Sequence, residues 1–268
     1  MKKNRLIPVL LLKNGWLVQS KRFNKYQNLG NPVTSVKRLS EWASDELIYL
    51  DISDGDEYDI RRDDQGYENR ASFLDIIEDV SKVTFMPITV GGKIRTLNDI
   101  EKRLYSGADK VSINTMAIKE PSFIKKAAKE FGSQCLVISI DVMKTAEGHK
   151  VFADGGKNMT QFSASELSHL VEDHGAGEIL LNSIDRDGMG NGYDLDLVNQ
   201  VVNSVNIPVI ACGGVSEWYH FAEGLEETKA DAVAAANIFH YRDQSVFLAK
   251  KYLFDNGFSV RKPDLITI

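Results

Sequence analysis

The chain has almost no cysteine. Its two cysteines, Cys135 and Cys212, both lie inside apolar runs, and neither belongs to a Cys–His spacing typical of a zinc site. A disulfide framework is therefore excluded, and this cysteine usage is typical of the reducing cytoplasm. We predict a cytoplasmic protein that uses no metal and no cofactor.

Long hydrophobic runs and an excess of positive charge are also missing. The apolar run at residues 6–12 is followed by Lys13-Asn14-Gly15 rather than by a small-residue cleavage site, and no stretch approaches the roughly 18 apolar residues of a membrane span. Lysine and arginine number 32 against 38 aspartates and glutamates, which gives a net charge of −6. We therefore expect no membrane span and no general binding to nucleic acid.

What the sequence does contain is an alternation of short apolar runs with segments of helical periodicity. Hydrophobic residues make up 43% of the 268 residues, which is enough for a large core. Eight of the apolar runs are nearly continuous, as expected of parallel strands covered by helices. They begin at Arg5, Glu46, Met86, Asp109, Cys135, Glu178, Ile207 and Ala230. This pattern predicts an α/β fold, either a closed barrel or an open doubly wound sheet.

An internal repeat favours the closed barrel. The segment PITVGG from Pro87 recurs as PVIACGG from Pro208, 121 positions later, and ADKVSINT from Ala108 recurs as ADAVAAAN from Ala230, 122 positions later. A half of four units used twice builds an eight-stranded barrel, for which about 250 residues is a typical length. We predict one (β/α)₈ barrel over residues 1–268, with an internal half-barrel repeat.

Acidic residues collect at the ends of the predicted strands, where barrels of this type place their chemistry. Asp51 and Asp141 end strands two and five, and Asp185 and Asp187 follow strand six. A buried carboxylate there can act as a general acid or base, although it can equally cap the following turn. Asp141 has the stronger case for a catalytic role, because it ends an otherwise apolar run.

Glycine pairs end two other strands, Gly91-Gly92 on strand three and Gly213-Gly214 on strand seven. Their N–H groups can approach an anion closely, and the start of the following helix adds a favourable dipole. One such site in each half would bind a ligand that carries a phosphate at each end.

Four charged residues stand at or near the starts of strands, namely Arg5, Glu46, Lys110 and Glu178. They could form a neutral ring at the opposite mouth of the barrel, where residues serve stability or a partner rather than chemistry. They could equally be ordinary solvent-facing charges that flank strands.

The sequence resembles, from end to end, the cyclase subunits of imidazole glycerol phosphate synthase, the HisF family of histidine biosynthesis. The motifs that carry the resemblance include RLIPVLLLKNG, GADKVSINT, GAGEILLNSIDRDG and IPVIACGG. The resemblance implies a barrel with two phosphate sites, a glutaminase subunit docked at its N-terminal face, and ammonia that passes through the barrel. It also implies that the four charged residues above form a ring that gates the entry of ammonia.

The chain departs from the family pattern at the opposite, chemical mouth. The resemblance implies two catalytic aspartates: Asp141 matches one, but Leu11 stands in place of the other and cannot transfer a proton. Gln19 stands where the family has lysine, and Lys93 replaces the third glycine of the first phosphate loop. The positions that we predict to bind phosphate or substrate are Gly91, Gly92, Lys93, Asn114, Thr115, Asp187, Gly188, Gly213, Gly214, Ala236, Asn237, Asp51, Asn182 and Cys212.

The loop after strand two, at about residues 53–72, is longer than the family pattern. Its acidic residues, together with Arg61, Arg62 and Tyr67, suggest a lid or a new contact surface. A solvated insertion without such a role is the alternative.

These features favour a subunit that pairs with a HisH-type glutaminase and conveys ammonia to a phosphorylated small molecule. Barrels that resemble this family and have a leucine-rich first strand occur as second copies in bacterial surface-polysaccharide pathways. There the ammonia serves the conversion of an acetamido sugar to an acetamidino sugar, alongside a sugar amidotransferase. Two alternatives stay open. One is a working histidine-biosynthesis cyclase, which forms imidazole glycerol phosphate and aminoimidazole carboxamide ribotide and needs Asp51 or Asp185 to replace the missing aspartate. The other is a non-catalytic scaffold that activates the glutaminase.

Overall fold

The computed structural model describes residues 3–55, 57–58 and 70–265. The strands within these residues are β1 (Arg5–Lys13), β2 (Trp16–Lys21), β3 (Lys25–Gly30), β4 (Leu47–Asp51), β5 (Ile88–Gly91), β6 (Lys110–Ile113), β7 (Leu136–Thr145), β8 (Gly148–Ala153), β9 (Asn158–Ser163), β10 (Glu178–Ser183), β11 (Val209–Cys212) and β12 (Ala232–Ala235). The α-helices are α1 (Pro32–Glu41), α2 (Phe73–Ser81), α3 (Leu97–Tyr105), α4 (Thr115–Lys119), α5 (Ser122–Phe131), α6 (Ala164–Asp173), α7 (Leu195–Val202), α8 (Trp218–Thr228) and α9 (Ser245–Asp255).

Eight parallel strands close into a barrel in the order β1-β4-β5-β6-β7-β10-β11-β12. The circle is completed by parallel pairing of β12 with β1, in which Arg5 lies opposite Ala232. Each of the eight runs predicted from the sequence contains one of these strands, and helices lie between them along the chain. The predicted (β/α)₈ barrel is therefore confirmed.

Side chains that alternate along the strands form two separate apolar layers. One layer fills the space between the strands and the surrounding helices. The other fills the interior of the barrel, where successive strand residues point to opposite faces of the sheet. The interior layer consists of Ile7, Val9, Ile48, Val137, Leu180, Ile210, Cys212, Ala232 and Ala234, with Leu11, Leu50 and Ala236 packed against them.

Two antiparallel hairpins extend the barrel beyond the pattern expected from the sequence. Strands β2 and β3 follow β1, and strands β8 and β9 follow β7 in the same arrangement. The hairpins occupy matching positions in the two halves of the chain. The internal repeat therefore includes them as well as the barrel strands.

Capping side chains set the starts of several helices. Thr96 accepts a hydrogen bond from the N–H of Asp99, whose carboxylate in turn accepts from the N–H of Thr96, so that both ends of the capping box are present in α3. The same arrangement starts α2 at Ser72 and α6 at Ser163. These caps fix where each helix leaves the carboxyl end of its strand.

A buried lysine fastens the last helix to the N-terminal face of the barrel. Lys250 of α9 has no exposed side-chain surface, and its ammonium donates to the carbonyl of Ala43 at 2.9 Å and to Asp45 Oδ1 at 2.5 Å. Burial lowers the pKa of Lys250, and the charge and hydrogen bond of Asp45 oppose that effect. Asp45 precedes Glu46 directly, so this contact also positions the entrance to β4.

No helix among the described residues is long and apolar enough to cross a membrane. Most of the long loop predicted at about residues 53–72 lies outside the described residues, including Arg61, Arg62 and Tyr67. Its proposed role as a lid or contact surface stays a prediction.

Candidate active site

The four charges at the strand starts form a closed ring, which we call the charged ring (Arg5, Glu46, Lys110 and Glu178). Arg5 Nη1 lies 2.7 Å from Glu46 Oε1, and the other terminal nitrogen of Arg5 contacts Glu178 Oε1. Lys110 Nζ lies 3.2 Å from Glu46 Oε2 and 3.2 Å from Glu178 Oε2. Each glutamate therefore bridges both cations, which is the neutral ring expected from the sequence rather than a set of independent surface charges.

The ring is buried enough for its charges to affect one another strongly. The Glu178 side chain is 7% exposed and that of Lys110, the most exposed of the four, is 23% exposed. Burial alone would lower the pKa of Arg5, but the hydrogen bonds and charges of Glu178 and Glu46 raise it above its ordinary value. Arg5 is thus fixed in its charged form at the entrance of the barrel.

Asp141 lies at the other end of the barrel, within a cage of polar side chains. Its Oδ2 accepts a hydrogen bond from Asn114 Nδ2 at 3.1 Å, and its Oδ1 accepts longer bonds of 3.4 Å from Ser139 Oγ and Asn182 Nδ2. Burial raises the pKa of Asp141 to about 7, and these three donors only partly oppose the shift. A carboxyl group with such a pKa can both release and accept a proton near neutral pH.

Leu11 occupies the position in the first half that Asp141 occupies in the second. Leu11 pairs with Leu50 of β4 and with Val18 of the following hairpin, whereas Asp141 pairs with Asn182 of β10 and with Phe152 of the equivalent hairpin. The Leu11 side chain packs against the apolar layer inside the barrel. The two halves therefore present one carboxyl group and one apolar side chain at equivalent places.

Two other strand-end aspartates, Asp51 and Asp185, form hydrogen bonds with nearby residues rather than with Asp141. Asp51 follows the inward-facing Leu50 and lies on the opposite face of β4, where its Oδ1 accepts from the N–H and hydroxyl of Ser53. Asp185 accepts a hydrogen bond of 2.6 Å from the N–H of Lys144. Each carboxylate stabilises a loop, and neither joins Asp141 in a pair, so the expectation that one of them replaces the missing aspartate gains no support from the geometry.

The two glycine pairs do not occupy equivalent positions, so treating them as the same pair in both halves is wrong. Strands β5 and β11 lie 121 positions apart at both ends, so that Gly92 matches Gly213 and Lys93 matches Gly214. The backbone agrees, because all four residues have positive φ: +108° and +55° in the first half, +102° and +102° in the second. The offset of 121 positions between the segments from Pro87 and Pro208 gives the same correspondence.

Close backbone contacts explain why glycine occupies these turns. A Cβ on Gly92 would lie 2.2 Å from the carbonyl oxygen of Asp51, and a Cβ on Gly214 would lie 2.1 Å from that of Gly192. Gly213 is similarly confined, with the carbonyl of Ser183 at 2.8 Å. Packing alone therefore requires glycine here, whether or not a phosphate binds.

The other predicted residues of the first phosphate site are engaged within the protein. The hydroxyl of Thr115 donates to Asn114 Oδ1 at 3.2 Å and accepts from the N–H of Asp154 at 3.1 Å. Lys93 Nζ lies 3.1 Å from Asp51 Oδ2 and also bonds the carbonyl of Gly55. Asp51 and Lys93 are therefore partners of each other.

Residues predicted for the second phosphate site hold the β2–β3 hairpin. Asp187 Oδ2 accepts from Ser20 Oγ at 2.7 Å and from the N–H of Phe23 at 3.2 Å, and Asn237 Nδ2 donates to the carbonyl of Ser20 at 2.8 Å. Gly188 leaves room for the same turn, since a Cβ there would lie 2.4 Å from the Ser20 carbonyl. Because β1 and β10 are separated by β11 and β12, this hairpin must cross part of the barrel mouth.

The remaining predicted positions line the interior near Asp141. Cys212 and Ala236 belong to or pack against the apolar layer inside the barrel. Burial raises the pKa of the Cys212 thiol, as do the nearby charges of Asp187 and Asp141, so this thiol is not a nucleophile. Gln19 lies in the hairpin instead, where its amide pairs with Gln27 and with the hydroxyl of Tyr241.

Sequence reasoning missed the hairpin residues that close on the second site, chiefly Ser20 and Phe23. A signal for the hairpin was present in Asn14-Gly15, since this dipeptide favours a tight turn with positive φ at both residues, and their φ values are +51° and +78°. No group of three or more histidine, cysteine, aspartate or glutamate side chains within the described ranges is arranged to hold a metal ion.

Fold and site together define a class of protein. It is a two-half (β/α)₈ barrel with a charged ring at its N-terminal mouth and a buried carboxyl group of raised pKa at its C-terminal mouth. The family described as histidine biosynthesis protein matches residues 5–245. The chain is 42% identical over 259 residues to imidazole glycerol phosphate synthase subunit HisF of Clostridium botulinum strain Okra / Type B1, covering 96% of this chain and 98% of the relative. The same protein of strain Kyoto / Type A2 matches to the same extent. The chain thus belongs to the histidine biosynthesis protein family, in its HisF branch.

Proposed function

We propose that this chain is the synthase subunit of a glutamine-dependent complex, and that it conveys ammonia from a HisH-type glutaminase to an acceptor at its C-terminal mouth. The observation that carries the proposal is the contrast between the two ends of the barrel. The charged ring is complete, with four ion-pair contacts among four residues. The acid–base pair at the other end is reduced to Asp141, with Leu11 in the second place.

The interior of the barrel suits neutral ammonia. Apolar side chains separate the charged ring from Asp141, and a charged ammonium ion would lose its hydration there without a partner. Small side chains occupy one wall, where Ala232 and Ala234 of β12, and Ala236 directly after it, belong to or pack against the interior layer. Of the ring residues, Lys110 has the largest exposed fraction and two contacts of 3.2 Å, so it can move aside at the smallest loss of stabilisation.

A single acid–base group limits the chemistry at the other mouth. Asp141 can accept a proton from the incoming ammonia or donate one to a leaving oxygen, because its pKa of about 7 allows both states at neutral pH. A ring closure that needs a second proton-transfer group has none at Leu11. Loss of one such group costs about 10²–10⁴-fold in rate.

For the acceptor we propose a nucleotide-linked sugar of surface polysaccharide synthesis. In this role a dedicated sugar amidotransferase replaces the oxygen of an acetamido group by nitrogen, and the barrel and its glutaminase supply the ammonia. The support is the resemblance of the leucine-rich first strand to that group of barrels, together with the departures from the family pattern at Leu11, Gln19 and Lys93. This acceptor is a phosphorylated small molecule, as the sequence predicts.

The second candidate is the cyclase of histidine biosynthesis. It is favoured by the names of the relatives at 42% identity and by the polar cage that Asn114, Ser139 and Asn182 provide for Asp141. This candidate requires that Asp141 alone, or a group of the substrate itself, performs both proton transfers.

One experiment separates the two candidates. The purified chain is mixed with the phosphorylated ribulosyl precursor and excess ammonium salt, and imidazole glycerol phosphate is followed by mass. Ammonium replaces the glutaminase, so the result depends on the C-terminal mouth alone. We expect no product from the native chain and product from Leu11→Asp, whereas efficient turnover by the native chain would establish the cyclase.

A second experiment tests the ammonia route, using the complex of this chain with a HisH-type glutaminase. Glu178→Gln removes one charge of the ring, while Glu226→Gln removes an exposed carboxylate of α8 as a matched control. We expect Glu178→Gln to reduce glutamine-driven amidation by about tenfold or more and to leave ammonium-driven amidation within about threefold, because partners of a buried charge are strongly disturbed when one is removed. Equal loss of both activities, or failure of the two proteins to form a complex, would contradict the proposed route. Stimulation of the glutaminase that persists in Asp141→Asn, without any amidated product, would favour the scaffold.

A further inference from the structure

Lys93 has a positive φ angle. The equivalent residue in the other half also has a positive φ angle, but it is a glycine. The φ of Lys93, +55°, lies in the left-handed region, where a residue with a side chain is disfavoured by about 1–2 kcal/mol. Gly214, its counterpart, has φ of +102°. A lysine in this place therefore needs compensating contacts from its side chain.

The side chain makes those contacts away from the barrel interior. Lys93 is 14% exposed, and its Nζ lies 3.1 Å from Asp51 Oδ2, bonds the carbonyl of Gly55 and lies 5.6 Å from the centre of the Tyr58 ring. The carboxylate of Asp51 is 1% exposed and lies on the face of β4 opposite to the inward Leu50. The ammonium is thus neutralised by a buried carboxylate, and its charge is not offered to a ligand.

The residues around this turn offer few other groups that could bind an anion. The main-chain carbonyl oxygen of Asp51 lies 2.2 Å from the position of a Cβ built on Gly92, so the backbone of β4 fills the space beside this turn. Thr115, the other side-chain donor predicted for this site, already uses its hydroxyl hydrogen on Asn114. The helix that follows Asn114 spans only five residues, so its dipole contributes little.

The second half differs in charge. Arg186 follows β10, and its Cβ lies 3.0 Å from the position of a Cβ built on Gly214. Its Nη1 donates to the carbonyl of Asn191, and no carboxylate within the described parts of the chain forms an ion pair with it. A guanidinium placed in this way can bind a phosphate through parallel hydrogen bonds.

We propose that Lys93 is a specificity-determining residue that closes the phosphate site of the first half. The phosphate or diphosphate of the acceptor then binds at the second half only. In a molecule phosphorylated at both ends, the second phosphate adds nothing to the binding affinity. The inference rests on the proposed function in one respect, namely that an acceptor binds at this mouth. It names the class of that acceptor as one with a single anionic phosphate or diphosphate group, to which a sugar nucleotide belongs and a ribotide phosphorylated at both ends does not.

The test compares two probes of the same carbon skeleton, a pentitol 5-phosphate and the corresponding 1,5-bisphosphate. Their dissociation constants are measured by calorimetry at low ionic strength on the full chain without a glutaminase. Native protein is expected to bind both probes with constants within about threefold. Lys93→Gly is expected to bind the bisphosphate about tenfold more tightly than the monophosphate, since hydrogen bonds to a charged group are worth that factor or more.

Two further variants keep the test informative. Lys93→Met retains a side chain at this turn and is expected to keep the native ratio of affinities. The double variant Lys93→Gly with Asp51→Asn avoids leaving a buried charge unpaired, and it replaces Lys93→Gly if that variant does not fold.

A native chain that already prefers the bisphosphate by about tenfold would overturn the proposal. So would an unchanged ratio in both glycine variants, or no binding of either probe to any of these proteins. Because binding is measured without ammonia transfer, failure of the glutaminase-coupled assay has no influence on these outcomes. The two proposals can therefore fail separately.

Discussion

The raised pKa of Asp141 makes a quantitative prediction about stability. Asp141 ionises near its ordinary value of 3.8 in the unfolded chain and at about 7 in the folded protein. Between these two values the unfolded chain has released the proton and the folded protein has kept it, so the free energy of unfolding falls as pH rises. With about 1.4 kcal/mol per pKa unit, the loss from pH 5 to pH 8 is about 3 kcal/mol.

Asp141→Asn removes this titration while preserving the shape of the side chain. The new amide loses one acceptor for the donors of Asn114 and Asn182, but that cost does not vary with pH. We therefore expect the variant to become more stable relative to the native protein as pH rises, by about 3 kcal/mol between pH 5 and pH 8. Above the folded pKa the difference should stay constant.

Urea unfolding at pH 5, 6, 7 and 8 measures this difference directly. The control is Asp255→Asn, which removes a half-exposed carboxylate of α9 in an i,i+4 pair with Lys251 and should follow the native pH profile. Other acidic groups titrate in all three proteins. The effect of Asp141 is therefore measured as the difference in free energy of unfolding between each variant and the native protein. A difference between Asp141→Asn and native protein that stays flat across this range would refute the reasoning.

Three other predictions concern the scaffold, each measured as a free energy of unfolding at pH 7. Gly214→Ala should cost about 2 kcal/mol more than Gly148→Ala, because both glycines have positive φ but only Gly214 meets a backbone carbonyl; equal costs would contradict this. Lys250→Met should cost about 3 kcal/mol, because Asp45 loses its 2.5 Å ion pair while only a longer one of 3.5 Å to Arg261 remains, whereas Lys251→Met on the same helix should cost less than about 0.5 kcal/mol; a neutral effect at Lys250 would exclude a stabilising role for its ion pair. Tyr193→Phe should cost about 1 kcal/mol through loss of its buried hydrogen bond to the Ala234 carbonyl, and a stabilised variant would be inconsistent with that bond.

The barrel could be predicted because its signal is local and repeated. Each barrel strand is a short continuous apolar run, as in residues 209–212 and 232–235, and the repeat shows that four such units occur twice. The hairpins were missed because β2 and β8 mix polar with apolar residues, and because Asn14-Gly15 served only as an argument against a secretion signal. Strands on the rim of a barrel lack the continuous burial that identifies the interior ones.

The site was predictable in position but not in its contacts. The charged ring and Asp141 follow from strand register, since residues at the starts or ends of parallel strands meet at one mouth. The partner of Lys93 does not follow from register, because a long flexible side chain in a left-handed turn can reach several neighbours. The one-residue shift between Gly91-Gly92 and Gly213-Gly214 is present in the sequence, because the 121-position offset of the repeat pairs Gly92 with Gly213 and Lys93 with Gly214. Only the identical letters of the two glycine pairs suggest that they are equivalent.

The two halves of the barrel share a backbone but divide the chemistry between them. At the N-terminal mouth each half contributes one glutamate, since Glu46 and Glu178 precede or begin equivalent strands and each bridges both cations of the charged ring, whereas both cations, Arg5 and Lys110, come from the first half. At the C-terminal mouth the first half has Leu11 and Lys93 where the second half has Asp141 and Gly214. Both departures fall in the same half, Leu11 within β1 and Lys93 in the turn after β5, at positions that we propose for different functions, proton transfer and phosphate binding. We propose that the acceptor uses only the second half and needs neither an acid–base group at Leu11 nor a glycine at Lys93, in which case a single change of ligand explains both substitutions.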